Sequence, residues 1–130
     1  KWKTHVEIVT NIIPRVNDEA ESLKKMASWI YQELGKDTPW HITRFFPHLR
    51  LSHVEPTPIR TLDKTREMAL GQGLNYVYLG NVWGSQGENT YCPQCGAILI
   101  VREGLETKKI QLKNGRCQFC SYSIAGRFPE

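Results

Sequence analysis

The chain predicts an α/β fold: the carboxyl-terminal half of a partial (β/α) barrel, with three parallel strands and two helices, followed by a small all-β zinc ribbon. Three observations carry this. Over residues 4–82, short runs rich in β-branched residues alternate with stretches of helical period. Beyond residue 91, two Cys-x-x-Cys knuckles hold all four cysteines of the 130-residue chain. Between the alternating part and the first knuckle lies a glycine-rich polar stretch, Gly84 to Asn89, that reads as a linker. The expected division is 1–86 for the half-barrel and 87–130 for the ribbon.

Val6 to Ile13 is the first expected strand, stopped by Pro14. Asn17 and Asp18 can cap a helix, with Glu21 three residues after Asp18 completing a capping box. Ala20, Leu23, Ala27, Ile30 and Leu34 then recur at helical spacing, and Gly35 supplies the stop. Trp40 to Phe46 is the second strand, ended by Pro47. A long connection from His48 to Arg60 carries Pro56 and Pro58. Thr61 can cap a second helix over 62–72, ended by Gly73, and Tyr76 to Leu79 is the third strand. Strands alternating with helices predict parallel pairing through right-handed crossovers. Three parallel strands and two helices make a poor free-standing domain, because one sheet face stays bare unless a neighbour covers it. That is the physical reason to expect part of a βα barrel.

Past the linker, strands are expected at 97–102 and 109–113, joined by a turn near Gly104. Asn114-Gly115 forms a tight turn into the second knuckle. Cys92-Pro93-Gln94-Cys95 and Cys117-Gln118-Phe119-Cys120 are separated by 21 residues, close to the roughly 15–20 of zinc ribbons. Cys92, Cys95, Cys117 and Cys120 are therefore the expected metal ligands. Four thiolates leave zinc no open position, so the site is expected to be structural. Iron in the same cage and a pair of disulfides are the competing readings. The nearby aromatics Tyr91, Phe119, Tyr122 and Phe128 are expected in the ribbon's miniature core rather than as a base-stacking platform.

The net charge is +4 and the sequence pI about 9.0. A four-thiolate zinc site contributes a net charge of minus two, leaving +2, so the basic balance is weak support for a nucleic-acid partner. A thiolate cage suits a reducing compartment, and a cytoplasmic location is expected. No run of apolar residues is long enough for a membrane span. The start at Lys1 without an initiator Met reads as a piece of a longer polypeptide, with processing as the alternative. No P-loop, G-x-S-x-G, H-E-x-x-H or G-x-G-x-x-G pattern occurs.

In a βα barrel the carboxyl ends of the strands and the loops after them build the active site. Glu7 and Asn11 share one face of the first strand with Val9. If that face points inward, a ligand or solvent must satisfy them. Arg44 and His48 border the end of the second strand, and His48 opens the longest connection, where function tends to concentrate.

The order of motifs also resembles a known family. Val6-Glu7-Ile8-Val9-Thr10-Asn11-Ile12-Ile13-Pro14 with Asn17-Asp18, then Asp37 to Pro47, then Tyr76-Val77-Tyr78-Leu79-Gly80-Asn81-Val82, then Gly87 to Gly96, are similar to the carboxyl half of radical S-adenosylmethionine enzymes. The type is the glycyl-radical activase, and within it the AmmeMemoRadiSam-system enzymes once labelled pyruvate formate-lyase activating enzyme-like. The resemblance implies a partial barrel that binds S-adenosylmethionine and a [4Fe-4S] cluster. Under it His48 takes a cofactor-side role, and Glu7, Asn11 and Arg44, which are candidates by strand face and strand end, are expected at the cofactor together with Asn81. It implies as partners the missing amino-terminal half of the barrel and a protein substrate, while an exposed sheet edge at 4–13 would allow a homo-oligomer.

Two positions depart from the pattern. Val9 stands where activase relatives carry Arg, and His48 follows Pro47 by one residue rather than two. The cluster's Cys-x-x-x-Cys-x-x-Cys loop does not occur in this sequence, so the chain alone is not expected to be catalytic. The alternative is a stand-alone zinc-ribbon module that binds nucleic acid or protein.

Overall fold

The computed structural model of the chain describes residues 4–129. It is a mixed α/β structure with a parallel three-stranded sheet, two helices and a small β unit carrying the cysteines. Strands β1 (Ile8–Ile12), β2 (Trp40–Arg44) and β3 (Val77–Gly80) lie side by side in that order. Ile8, Trp40 and Val77 align across the sheet, as do Asn11, Thr43 and Gly80. The sheet is open, and β1 forms one edge, where the exposed edge was expected.

Helix α1 (Ala20–Trp29) connects β1 to β2, and α2 (Ile59–Gly71) connects β2 to β3. Crossovers of one hand between successive neighbours put both helices on the same side. Leu23 and Ala27 of α1 and Leu62 and Ala69 of α2 pack against Ile12, Trp40, Ile42, Val77 and Leu79 in one buried cluster. Period-two alternation turns Val9, Asn11, His41, Thr43 and Tyr78 to the opposite face. Among the described residues no helix covers that face, and Val9 is left 66% exposed.

The helix starts differ from expectation. Asn17 and Asp18 do not cap α1; Glu19 stands at the cap position and makes no side-chain cap bond. Asn17 instead accepts the Ile13 N–H at 2.7 Å and donates to the Asn11 carbonyl at 2.9 Å, while Asp18 accepts the Arg15 N–H at 3.0 Å. These side chains are spent closing the turn, whose backbone groups have left the sheet. Thr61 lies inside α2, which begins directly after Pro58, a residue whose fixed φ favours helix entry. At the end of α1 the chain widens into a π-turn, Ile30–Leu34, and Gly35 closes it with an N–H to the Ile30 carbonyl at 3.0 Å.

Thr57 fastens the long connection to the sheet. It is fully buried. Its hydroxyl donates to the Ile12 carbonyl at 2.6 Å and accepts the Phe45 N–H at 2.8 Å. Its own N–H reaches the Phe45 carbonyl at 3.2 Å. One side chain thus ties the carboxyl ends of β1 and β2 together.

The cysteine-bearing unit contains the antiparallel sheet β4 (Thr90–Tyr91), β5 (Ile98–Glu103) and β6 (Glu106–Ile110), and the hairpin β7 (Leu112–Lys113) and β8 (Arg116–Cys117). Asn114 and Gly115 both take positive φ, as a two-residue hairpin turn requires. The expected strand at 109–113 is split, because Glu103 pairs with Glu106 and the first hairpin closes early. Gln111 then breaks the run, donating from its side chain to the Ile98 carbonyl at 2.7 Å.

The stretch from Gly84 to Asn89 is not a free linker. It holds a 3-10 turn, Gln86–Glu88, and Gly87 is buried so tightly that a Cβ there would lie 2.7 Å from Leu79. The core of this unit, Leu99 and Ile124 with Cys92 and Cys117, also takes in Tyr76. The Tyr76 hydroxyl accepts the Ala125 N–H at 3.2 Å, and burial pushes its pKa up to about 12. Of the four aromatics expected in the miniature core, Tyr122 packs against it, but Phe119 is 58% exposed.

Replacing Thr57 by Val keeps the shape and leaves two backbone groups without their buried partner. Thr57→Val should lower the unfolding free energy by about 2 kcal/mol in urea denaturation, and Thr57→Ser should recover most of it. A Thr57→Val protein as stable as the parent would show that the tie carries no weight.

Candidate functional site

The two knuckles are built alike. In the first, the Cys92 N–H reaches the Ala97 carbonyl at 2.8 Å, and the Gly96 N–H returns to the Cys92 carbonyl at 2.9 Å. In the second, the Cys117 N–H reaches Tyr122 and the Ser121 N–H returns to Cys117, both at 2.9 Å. Each loop turns back through a positive φ just after its second cysteine, at Gly96 and at Ser121. Glycine takes this conformation without strain, whereas Ser121 is held there by the loop's own bonds.

Together the loops bring all four sulfurs within 4.8 Å of one another. Cys92 lies 3.6 Å from Cys120, and Cys95 lies 3.7 Å from Cys117. A disulfide bond is about 2.05 Å long, so neither contact is one. A regular tetrahedron with metal–sulfur arms of about 2.3 Å has edges of about 3.8 Å. The set is therefore shaped to hold one metal ion such as zinc.

Electrostatics point the same way. At Cys117 burial raises the pKa, but the N–H groups of Cys120 and Phe119 and hydrogen bonds from Cys120 and Cys95 bring it down to about 7. At Cys120 the Tyr122 N–H lowers it, yet burial and the sulfurs of Cys92, Cys95 and Cys117 outweigh that and push it up to about 12. One thiolate forms readily and the next resists. A dication at the centre removes that conflict.

The polar residues expected at strand ends divide into two groups. At the carboxyl ends, the Thr43 hydroxyl donates to Asn11 Oδ1 at 3.3 Å, and Asn81 donates to the Arg44 carbonyl at 3.2 Å. Arg44 donates from Nε to the Thr57 carbonyl at 2.8 Å, and its guanidinium lies 5.0 Å over the Phe46 ring. His48 stands exposed just before a 3-10 turn, Leu49–Leu51.

Glu7 belongs to the other end. It precedes β1, about 13 Å from Asn11 along the strand. Its carboxylate meets His5 Nε2 at 2.8 Å and His41 Nε2 at 2.6 Å. The His5 bond, aided by His41, holds its pKa below the ordinary value despite some burial.

His41 escaped the strand-end reasoning because it lies inside a strand. Its alternation with buried Trp40 and Ile42 was the available signal. Its ring stacks on Tyr78 with centroids 5.2 Å apart. Above these rings, between the open sheet face and the cysteine unit, lies a cavity of about 1450 Å³.

No family model matches the chain, and no solved structure matches it. It is similar to MJ0808, an uncharacterized protein of Methanocaldococcus jannaschii, with 46% identity over 121 residues. The match takes in 92% of this chain and 36% of that protein. The chain thus spans about a third of its relative's length. Among the described residues, no helix is long and apolar enough to cross a membrane.

Metal affinity should follow the thiolates. The Cys117 thiol, at about 7, sits below its unfolded value of about 8.5. Its ionised form therefore favours the folded site above that unfolded value, and the contribution is lost as pH falls through about 7. Elemental analysis of purified protein should find one ion per chain at neutral pH, with affinity falling further as the pH is lowered through about 7. Cys92→Ser should reduce retention at least about tenfold. An affinity independent of pH would contradict thiolate ligation.

Proposed function

We propose that this chain is the carboxyl-terminal part of a radical S-adenosylmethionine enzyme of the glycyl-radical-activase type, with a structural zinc ribbon behind it. The observation that carries the reading is the two-faced sheet. Both helices pack on one side, while the other side carries Asn11, His41, Thr43 and Tyr78 and, among the described residues, has no helix over it. A barrel wall has this asymmetry, with helices outside and the other sheet face turned to the interior. Asn11, Arg44 and Asn81 stand at the carboxyl ends of the strands, where βα sites form. They are the cofactor-side residues under this reading, together with His48. A relative nearly three times as long as the matched segment leaves room for an amino-terminal half.

The four cysteines are gathered into one closed set, so this chain offers no thiols for a [4Fe-4S] cluster. The cluster loop would come from the other half. A four-thiolate zinc site has no open coordination position, so its role is to hold the ribbon's two loops together. The partners under this reading are the amino-terminal half and a protein substrate. A thiolate-bound ion fits a reducing, cytoplasmic setting.

Two experiments test the reading. The reading frame preceding Lys1 should encode Cys-x-x-x-Cys-x-x-Cys. The longer polypeptide, reconstituted anaerobically with iron and sulfide, should release 5′-deoxyadenosine from S-adenosylmethionine, and a frame without that triplet ends the proposal. Removal of the ion by a chelator should raise hydrogen exchange across residues 90–126 and change the βα part less. Equal loss in both would mean that the two do not behave as separate units.

A further inference from the structure

We infer that the cavity between the open sheet face and the ribbon is a binding site for a flat aromatic acid, a ring bearing a carboxylate or phosphate, with Arg102 of the ribbon as its anion anchor. The inference uses only side chains of this chain and does not rest on the radical-enzyme reading.

Arg102 is unusually well fixed for an arginine. Its backbone N–H is held by Asn89 Oδ1 at 2.9 Å. Its Nη1 donates to Thr90 Oγ1 at 2.7 Å and to the Glu88 carbonyl at 3.2 Å. Its guanidinium lies 5.4 Å over the Tyr78 ring, and the Tyr78 hydroxyl closes the loop by bonding Thr90 Oγ1 at 2.9 Å. Tyr78 also stacks on His41, so ribbon and sheet are joined through these three side chains.

All of these holding partners are neutral. Among the described residues no carboxylate lies within ion-pair distance of Arg102, and neither Nε nor Nη2 of Arg102 donates a hydrogen bond. The carboxylates around the cavity are engaged elsewhere. Glu7 is held by two histidines, Glu103 and Glu106 face Lys108, and Glu88 accepts the Gly104 N–H. An arginine held rigid in a concave site with its remaining fork unpaired matches a planar oxyanion, which it can grip through two parallel N–H bonds. Little side-chain entropy remains to be lost on binding, because the neutral partners have already ordered it.

The rest of the cavity sets the body of the ligand. Its walls include Tyr76, Tyr78, Ile100 and Phe128, a surface for a flat apolar group. Trp83, 88% exposed, and the fully exposed Leu105 also stand at the lining. An indole so open to water gains from covering a ring.

Phenyl phosphate is a suitable probe, with inorganic phosphate and phenol separating the anion from the ring, and benzoate separating carboxylate from phosphate. Titration of the metal-loaded chain should quench Trp83 fluorescence, read as the difference from Trp83→Phe. It should also shift the amide resonances of Tyr78 and Arg102. Arg102→Gln should weaken phenyl phosphate at least about tenfold, and Arg102→Lys should recover part of the loss. Trp83→Ala, at a site too exposed to disturb the fold, should weaken phenyl phosphate and leave inorganic phosphate unchanged. Phenyl phosphate failing to bind at millimolar concentration, or binding equally well to metal-loaded Arg102→Gln, would overturn the assignment. Inorganic phosphate binding as tightly as phenyl phosphate would overturn the aromatic part of it.

Discussion

Four sulfurs drawn from knuckles 21 residues apart, and brought within 4.8 Å of one another, are the constraint on which the second half of the structure depends. The ribbon has little else to hold it. Its buried apolar residues are few, and every residue of β6 is exposed. A unit of this size cannot offset its chain entropy by burial alone and needs a cross-link. The matched bonds of the two knuckles pre-set the sulfur positions. The contrary pulls on the Cys117 and Cys120 thiols show why the set calls for a cation rather than four protons.

The sheet is governed by a different imbalance. Helices α1 and α2 cover one face, and the core beneath them is apolar and closed. The opposite face carries polar and aromatic side chains, and the ribbon leans over part of it through Tyr76 and Arg102. These contacts make the ribbon a wall of the cavity as well as the unit that carries the four cysteines. The Arg102–Tyr78–His41 stack ties the two halves together across it.

Much of this was legible in the sequence, for physical reasons that differ by element. The strands were visible because β-branched runs have a short period and end at Pro14, Pro47 and Gly80-Asn81. The cysteines were visible because metal ligation is a local spacing rule. The helix starts were misplaced because Asn17 and Asp18 found nearer partners in Ile13, Asn11 and Arg15. Which backbone group such a residue bonds depends on the turn, and composition does not show the turn. Gly84 to Asn89 looked like a linker because it is glycine-rich and polar, whereas Gly87 is small for contact with Leu79, a residue of the preceding strand. His41 and Arg102 went unseen because their roles depend on strand register and on a contact between the two units.

The central claim is that one ion, held by four sulfurs, organises the carboxyl-terminal unit. X-ray absorption at the metal edge of the purified protein tests it most directly. Four sulfur scatterers at about 2.3 Å, with no nitrogen or oxygen in the first coordination sphere, is the predicted result. A shell containing oxygen or nitrogen donors, or fewer than four sulfurs, would contradict it.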